Sequence, residues 1–403
     1  MAYYRLKTGD KMSKEYISER VKKVLSGDDN PFLQLLAMAS KYGKVVALGR
    51  GDPDLPTPQH IVDAAISALI TGKTKYTPPI GILELRQAVA DKYRREHELT
   101  YDPQTEIIVT AGTQEAIFLA MHSLINPGDE VVIPEPYYAC YAESAKMAGA
   151  DLIPVSTDVQ NNFEVTAVSI RECITPKTKL IALLSPSNPS GTVIPKGTME
   201  EIAMIANENN IIVLCDELYE KIMYDDKKPV CFASMPGMRD RAIIVNGCSK
   251  AYAMTGLRVG FLVGPRALVK PMSVPHHSMV ICANSVSQYA ALAALTGDQS
   301  FLINYRDLYD ERRKIVMEYL DAGSIPYARP SGGFFVFADV RKTGMSSFEF
   351  CKKLLDSTHI QVFPGTMYGD RMDGFIRISF LAEKQVLRQA MKDLVSFYKS
   401  TLK

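Results

Sequence analysis

A lysine and an arginine in the middle of the chain have the spacing of a carbonyl-binding amine beside an anion site. Lys250 follows the apolar run Ala242 to Val245, which is typical of a buried strand, and Arg258 lies a short loop further on. A lysine attacks a carbonyl only as the neutral amine, so it needs desolvation or a nearby positive charge to lower its pKa. Arg258 can supply that charge while its guanidinium holds a phosphate. The pattern indicates a Schiff base with a phosphorylated aldehyde, although a solvated lysine and an ion-paired arginine fit the same residues.

A glycine-containing turn after the strand-like run Glu106 to Thr110 is a second candidate anion site. There Gly112 precedes a helical pattern that begins with Thr113 and Gln114. The first N–H groups of a helix have no partner within the helix and carry partial positive charge, which suits a phosphate. An ordinary helix cap has the same composition.

Three residues further along have side chains that suit the ring of a flat heteroaromatic cofactor. Asp216 follows the apolar run Ile211 to Cys215, and a buried carboxylate requires a cation such as a protonated pyridine nitrogen. Asn188, in the turn Ser185 to Gly191, and Tyr219 can both donate to a phenolic oxygen, which would lower the pKa of an imine beside it. A helix N-cap and a plain turn are the alternative explanations.

An aromatic residue and a buried arginine complete the candidate site. Tyr138 ends the segment Pro134 to Tyr138 and is suited to stack on a planar ring, although core tyrosines are common. Arg377 lies in the alternating β-like run Gly374 to Phe380, and a buried arginine requires a carboxylate, either the protein's own or a substrate's.

The elements that must position these residues alternate along the chain, which predicts an α/β fold with a mostly parallel central sheet. Ligands of such sheets bind outside the carboxyl ends of the strands, where the candidate residues follow one strand after another. The strand-like runs are Glu106 to Thr110, Glu130 to Pro134, Lys179 to Leu184, Ile211 to Cys215, Ala242 to Val245 and Val259 to Val263, and the clearest helical patterns between them are Thr113 to Leu124 and Met199 to Asn209.

From about residue 300 the pattern changes to longer charged helices, Phe301 to Ala322 and Ser346 to Ser357, around the apolar runs Phe334 to Phe337 and Phe375 to Phe380. This predicts a smaller α+β domain, which an N-terminal helix near Lys14 to Leu25 is expected to join. We expect a large cofactor-binding domain over residues 56–298 and a small domain formed by residues 1–55 and 299–403.

Composition restricts the functional classes. A chain of 403 residues with 47% hydrophobic residues is globular and long enough for roughly two domains. A net charge of +1 gives no electrostatic reason to expect nucleic acid or a membrane as partner. The first eleven residues lack the apolar core of a signal peptide, so we expect a cytoplasmic protein. Seven cysteines without paired spacing argue against a disulfide framework and against a metal site.

In this order, the segments resemble the pyridoxal-phosphate enzymes of the aspartate aminotransferase superfamily, fold type I, and specifically the class I and II aminotransferases, over about residues 45 to 385. The resemblance implies amino-group transfer between an L-amino acid and a 2-oxo acid by a ping-pong mechanism. It implies pyridoxal 5'-phosphate as the cofactor, bound as the Lys250 aldimine. Lys250, Asp216 and Tyr219 would then be catalytic. The implied cofactor-binding residues are Gly112, Thr113, Gln114, Tyr138, Asn188, Asp216, Tyr219, Ser249, Lys250 and Arg258.

Two other segments of the resemblance concern the substrate and a second subunit. Gly51, in the run Leu48 to Asp54, matches a loop at the substrate carboxylate site, where Asn188 and Arg377 would also bind. Tyr76, in the run Lys75 to Arg86, matches a tyrosine that reaches the phosphate of a neighbouring subunit. The resemblance therefore implies a homodimer with shared active sites.

The chain departs from the family pattern at several positions. Gly247 replaces a Ser or Thr, so we expect one phosphate hydroxyl to be missing and Gly247→Ser to tighten cofactor binding. Cys248 is unusual so near the lysine. Gln114 stands where aspartate-using relatives often have lysine, which puts aspartate preference in doubt, and Arg50 is a possible substitute.

Two other functions fit the same residues. A lyase or cyclase of the superfamily, similar to a C–S lyase or to aminocyclopropane-carboxylate synthase, would use the same lysine. A non-catalytic regulator is the second alternative, which the complete set of site residues disfavours.

Overall fold

The computed structural model describes residues 16–24 and 31–402 of the chain. Its largest element is a seven-stranded sheet with the spatial order β2-β8-β7-β6-β5-β3-β4. The strands are β2 (Ile107–Thr110), β3 (Glu130–Glu135), β4 (Asp151–Ser156), β5 (Thr178–Leu184), β6 (Ile212–Asp216), β7 (Ala242–Gly247) and β8 (Gly260–Val263).

Only β8 in this sheet is antiparallel to its neighbours, β2 and β7. The other pairs are parallel, which confirms the predicted mostly parallel α/β sheet. Because β8 runs in the opposite direction, its amino end lies at the edge of the sheet where the parallel strands have their carboxyl ends. Arg258, which precedes β8, therefore lies at the same edge as Lys250, which follows β7.

Thirteen α-helices lie in the described ranges. Those before the end of the large sheet are α1 (Glu19–Lys22), α2 (Pro31–Ala39), α3 (Gln59–Ile70), α4 (Leu83–His97), α5 (Thr113–Leu124), α6 (Ala139–Ala148), α7 (Ala167–Glu172) and α8 (Lys196–Glu208). Those after it are α9 (Arg266–Val280), α10 (Ser285–Thr296), α11 (Phe301–Ala322), α12 (Ser347–Thr358) and α13 (Lys384–Thr401). The helices predicted over Thr113 to Leu124 and Phe301 to Ala322 are confirmed with those bounds.

Both faces of the large sheet are covered by helices. One core contains side chains of α4, α8 and α10, including Val89, Ile202 and Ala290. The other contains side chains of α5, α6 and α9, including Leu119 and Tyr141. Burial on both faces explains why the central strands are almost continuously apolar rather than alternating.

A third core lies around a three-stranded antiparallel sheet with the order β11-β12-β9. Its strands are β9 (Phe335–Asp339), β11 (Phe363–Pro364) and β12 (Phe375–Ser379). A parallel pair, β1 (Val46–Ala47) with β10 (Ile360–Gln361), lies beside it. Helices α11, α12 and α13 supply most of the remaining apolar side chains. The separate cores support the proposed division into a large domain, 56–298, and a small domain made of the flanking residues.

The N-terminal helix is described only over Glu19–Lys22, where α1 contacts α6 of the large sheet's helical layer. Of the segment expected to be helical, Lys14 to Leu25, residues 14, 15 and 25 lie outside the described residues. Among the described helices, none combines the length and the apolar character that crossing a membrane requires.

Three glycines allow the helix α5 to approach the β7–β8 pair closely. Gly247 lies opposite Gly260 in the strand register. A Cβ on Gly247 would be 2.9 Å from the Gly260 Cα, and a Cβ on Gly260 would be 2.8 Å from the Thr113 nitrogen. A Cβ on Gly112, which has φ +83°, would be 2.5 Å from the Arg258 guanidinium. The backbones of α5, β7 and β8 therefore touch where the candidate phosphate site lies.

These contacts oppose the expectation that Gly247→Ser tightens cofactor binding, because the two nearest obstructing atoms, of Gly260 and Val259, are backbone atoms that cannot rotate away. We predict instead that Gly247→Ser costs about 1–3 kcal/mol of stability, as overpacking does, and reduces retention of pyridoxal phosphate. Urea unfolding and dialysis against phosphate buffer measure the two effects. Gly256→Ser is the matched control, since a Cβ on Gly256 meets nothing within 4 Å. A Gly247→Ser protein that is as stable as the control and retains more cofactor would contradict the packing argument.

Candidate active site

The candidate residues surround one cavity of about 400 Å³ between the carboxyl edge of the large sheet and the small domain. A cavity of this size lies within the usual range for small-molecule sites. Of the residues predicted from the sequence, those that line it are Gly51, Thr113, Gln114, Tyr138, Asn188, Asp216, Tyr219, Ser249, Lys250, Arg258 and Arg377. They come from segments spread over more than three hundred residues, and the fold brings them together.

Lys250 lies in the loop after β7, and its Nζ donates a hydrogen bond to the carbonyl oxygen of Gly51 at 2.6 Å. Burial lowers the pKa of Lys250 to about 8, and the charge of Arg377 adds to this effect more than that of Arg258 does. Asp52 acts in the opposite direction. The sequence analysis therefore predicted correctly that a nearby positive charge lowers the pKa of Lys250. It named Arg258, however, whose charge has a smaller effect than that of Arg377.

Asp216 ends β6, and its carboxylate is held by two neutral donors. The Tyr141 hydroxyl donates to Oδ2 at 3.1 Å, and the Leu218 backbone N–H donates to Oδ1 at 3.0 Å. Burial raises the pKa of Asp216 to about 6. A carboxylate whose charge is this poorly compensated is suited to a cationic ligand atom that approaches it from the cavity.

The anion end of the cavity is formed by the start of α5, Ser249 and Arg258. The guanidinium of Arg258 donates to the Thr255 carbonyl at 3.1 Å and reaches the Ala111 carbonyl at 3.5 Å. It lies directly over Gly112, where the space that a side chain would fill is taken by the arginine. Unpaired N–H groups at the start of a helix of twelve residues, with a guanidinium beside them, form a site for a phosphate.

Arg377, on β12, is 6% exposed, and both acceptors of its hydrogen bonds are neutral groups. Nη1 donates to Oδ1 of Asn188 at 2.8 Å, and Nη2 donates to the carbonyl of Gly49. Its guanidinium lies 4.0 Å from the centre of the Phe335 ring, and Nε has no partner in the described part of the chain. A carboxylate entering the cavity would complete the pairing of this buried cation.

Tyr138 and Tyr219 lie on the walls of the cavity together with Asn188. Burial raises the pKa of Tyr138 to about 12 and that of Tyr219 still further, so both hydroxyls stay protonated and can donate. Because Arg377 occupies the oxygen of the Asn188 amide, the amide nitrogen remains available as a donor. Tyr219 is held by edge contacts with Phe334 and Phe335.

Among the predicted site residues, Gly112 does not line the cavity but lies against the Arg258 guanidinium, which does. Tyr76 does not line the cavity of its own chain either. It is 80% exposed, on the segment after α3. Cys248 is fully buried, and burial raises the pKa of its thiol to about 12, so it is a packed thiol. Arg50 lines the cavity and is exposed.

The sequence analysis missed Tyr141 and Asp52. Tyr141 lies three residues after Tyr138, so one turn of α6 separates the two, but no sequence signal links it to Asp216. Asp52 lies next to Gly51 and accepts from Thr255, which orders the loop facing Lys250. Phe335, whose ring lies beside the Arg377 guanidinium, is diagonal to it across the β9–β12 pair, in which Arg377 stands opposite Phe337.

Pyridoxal 5'-phosphate matches these donors and acceptors. The glycine-lined cradle under Arg258 is suited to its phosphate, and the undercompensated Asp216 carboxylate is suited to its pyridine nitrogen. Lys250 supplies a buried amine that is partly neutral near neutral pH. The residues present therefore fit the cofactor.

The pKa of Lys250 can be measured on the cofactor-free protein by competitive acetylation with trace acetic anhydride. Only the neutral amine reacts, and a pKa lowered to about 8 means that the neutral fraction rises as pH increases through that value. We predict half-maximal labelling of Lys250 near pH 8, with exposed Lys196 as internal standard. Arg377→Gln should shift the labelling curve to higher pH, because it removes a positive charge. A curve for Lys250 that coincides with that of Lys196 would contradict the burial argument.

The chain is similar to known proteins over most of its length. Residues 43–394 match the family model described as aminotransferase class I and II. The chain is 36% identical over 360 residues to the aromatic-amino-acid aminotransferase 2 of Thermococcus litoralis, covering 89% of this chain and 92% of the relative. It is 37% identical over 360 residues to an aspartate aminotransferase of Pyrococcus abyssi, with the same coverage. The crystal structure of Thermus thermophilus aspartate aminotransferase with maleate superposes with a TM-score of 0.89 at 34% identity, covering 94% of this chain and 99% of that one.

These relatives do not favour the lyase or cyclase alternative. They support the predicted fold type I architecture, the aminotransferase activity and pyridoxal 5'-phosphate as the cofactor. The chain belongs to the class I and II aminotransferases.

Proposed function

We propose that this aminotransferase exchanges an amino group between an L-amino acid and a 2-oxo acid in the cavity around Lys250. The observation that carries the assignment of the site is the combination of a buried amine, a buried carboxylate and a buried guanidinium along one cavity, contributed by Lys250, Asp216 and Arg377. Each is bonded to neutral protein groups, so each is free to respond to a ligand.

In this proposal Lys250 is the group that moves the proton. Its amine, with a pKa lowered to about 8, is a base of suitable strength near neutral pH. It takes the proton from Cα of the substrate and returns a proton on the cofactor side. The Gly51 carbonyl holds the amine in position between these events.

Asp216 holds a proton at the pyridine nitrogen of the cofactor, and Tyr141 orients the carboxylate. When bound, pyridoxal phosphate withdraws electrons from the substrate Cα. Asn188 and Tyr219 donate to the phenolic oxygen, and Tyr138 packs against the ring. These donors keep the ring charge distribution that makes the Cα proton acidic.

Arg377 binds the α-carboxylate of the substrate, next to Gly51 and Asn188. Its Nε is unpaired and its guanidinium is already oriented by Asn188 and Phe335, so little ordering is required on binding. Gly112, Thr113, Gln114, Ser249 and Arg258 hold the phosphate. Because the amino donor and the oxo acid both require Arg377, they bind in turn, and the cofactor would carry the amino group between them, which gives ping-pong kinetics.

We further propose a homodimer with shared sites. Tyr76 is 80% exposed and does not line the cavity of its own chain. Other large apolar side chains near the same segment and on the last turns of α9 are exposed as well, namely Leu69, Ile70, Val274 and Met279. A second copy of the chain would cover them and receive Tyr76 at its phosphate.

We propose a cytoplasmic location because the cysteines are not paired in disulfides. All seven cysteines are free, and five of them are buried. Such a set of unpaired thiols is typical of a reducing compartment.

Hybrid dimers test the shared sites and Lys250 together. We predict that Lys250→Ala and Tyr76→Ala homodimers both lose activity, the first while still holding cofactor without a covalent bond. If the sites are shared, a hybrid of the two chains contains one site with neither substitution and regains about half of the wild-type activity. The measurement is the transamination rate of purified hybrid, separated by two affinity tags.

A hybrid of Lys250→Ala with wild-type chain is the matched control, and it should also have about half of the wild-type activity. If Tyr76 served its own chain, each site of the first hybrid would carry one substitution. A hybrid as inactive as its parents would therefore contradict the shared-site dimer.

A further inference from the structure

A buried histidine on α9 connects the start of α5 with the segment that carries Tyr76. His276 has 0% of its surface exposed. Its Nδ1 lies 2.7 Å from Oε1 of Glu115, and its Nε2 lies 2.8 Å from the carbonyl oxygen of Pro79. The neighbouring His277, on the same helix, is exposed.

The Glu115 contact leads to the phosphate site of the same chain. Glu115 belongs to the first turn of α5, and its Oε2 accepts a hydrogen bond from the backbone N–H of Ala111. This bond closes the turn that contains Gly112. His276 therefore orients the carboxylate that shapes the start of the phosphate-holding helix.

The Pro79 contact leads to the segment that carries Tyr76. Gln288, which is 0% exposed, accepts from the Ile82 backbone N–H at 2.7 Å and donates to the Thr77 hydroxyl at 2.9 Å. His276 holds Pro79 between these two points. The segment is thus bonded to buried side chains on both sides of Pro79, while Tyr76 itself is exposed.

Each ring nitrogen of His276 makes a contact that needs a proton between the two atoms. A proline carbonyl can only accept, so Nε2 carries a proton. The contact of Nδ1 with a carboxylate oxygen at 2.7 Å needs a proton between the two atoms. The imidazole ring therefore forms hydrogen bonds with Glu115 and with Pro79 at the same time. The amide side chain of asparagine or glutamine can replace only one of the two.

We propose that His276 is a positioning residue for two cofactor sites: through Glu115 it supports the phosphate site of its own chain, and through Pro79 it holds the Tyr76 segment that serves the partner subunit. The second role rests on the shared-site dimer proposed above. Loss of the Pro79 contact would release the segment and weaken cofactor binding in the other chain, where no residue has been changed.

Two substitutions separate the contacts. The amide nitrogen of asparagine falls near the position of Nδ1, so His276→Asn keeps a donor for Glu115 and loses the one for Pro79. The amide nitrogen of glutamine falls near Nε2, so His276→Gln keeps the donor for Pro79 and loses the one for Glu115. The two variants therefore act on different subunits' sites.

The decisive experiment pairs a wild-type chain with a chain that carries Lys250→Ala together with a change at His276. Borohydride attaches pyridoxal phosphate permanently to Lys250, which only the wild-type chain has. Mass spectrometry of that peptide at increasing cofactor concentration therefore measures the affinity of the wild-type chain's site alone. We expect the chain with His276→Asn to weaken binding at the wild-type site about tenfold, as loss of one hydrogen bond to a positioned segment would. The chain with His276→Gln, and a control chain with His277→Asn, should leave it within about twofold.

Unchanged affinity at the wild-type site with His276→Asn, in a hybrid of dimer mass, would overturn the proposal. Equal losses with Asn, Gln and the His277 control would overturn it too, because they would indicate general destabilisation. If the His276→Asn chain does not assemble, two hybrids of the His276→Gln change decide. A His276→Gln chain with intact Lys250, paired with a Lys250→Ala chain, must lose affinity at its own site. A chain with both His276→Gln and Lys250→Ala must leave the site of a wild-type partner unchanged, and any other pair of results would overturn the proposal.

A further hybrid separates this proposal from the shared-site dimer. It pairs a wild-type chain with one carrying Tyr76→Ala and Lys250→Ala. Full cofactor affinity at the wild-type site in that hybrid contradicts the shared sites themselves. Weak affinity there, with normal affinity in the His276→Asn hybrid, contradicts only the role of His276.

Discussion

The site depends on keeping three charged groups out of water without letting them neutralise one another. Lys250 is bonded to the Gly51 carbonyl, Asp216 to the Tyr141 hydroxyl and a backbone N–H, and Arg377 to Asn188 and the Gly49 carbonyl. A buried charge is costly when it has only neutral partners, and this is why the pKa of Lys250 falls and that of Asp216 rises. In the proposed function, pyridoxal phosphate and a substrate carboxylate would relieve the imbalance.

The large sheet provides the rigidity that this arrangement needs. Parallel strands deliver Asp216 and Lys250 to one edge, and the reversed strand β8 delivers Arg258 to the same edge. The contact of Gly247, Gly260 and the start of α5 then sets the distance between the phosphate cradle and the lysine loop. Any side chain at these glycines would move one backbone relative to the other, and the positions of several site groups would change together.

Much of the fold could be predicted because buried strands and amphipathic helices leave clear periodic patterns. The bounds of Thr113–Leu124 and Phe301–Ala322 were predictable, and so was the convergence of polar residues at the ends of the strands. The direction of β8 was not predictable, because a short apolar run has the same sequence pattern in a parallel and in an antiparallel strand. The lack of room for a side chain at Gly247 could not be predicted either, because it is caused by Gly260 on β8 and Thr113 on α5.

The same limit applies to the groups that act through others. Tyr141 and His276 are ordinary residues of helices in the sequence, and only their contacts with Asp216, Glu115 and Pro79 give them a role. Arg377 was predicted as a carboxylate ligand, but its larger effect on the pKa of Lys250 follows from its position on the small-domain strand β12. Local patterns therefore predict the chemical groups, and long-range contacts decide how strongly each acts.

The half-reaction with an amino donor alone tests the central claim most directly. The purified enzyme with bound cofactor is mixed with one L-amino acid at a time and no oxo acid, and both the visible absorbance of the bound cofactor and the oxo acid released are followed. A transaminase with one cavity for both substrates should lose that absorbance while releasing one equivalent of oxo acid per site, and should recover it only when a 2-oxo acid is added. Continuous release of product without an acceptor, with the absorbance maintained, would contradict the assignment.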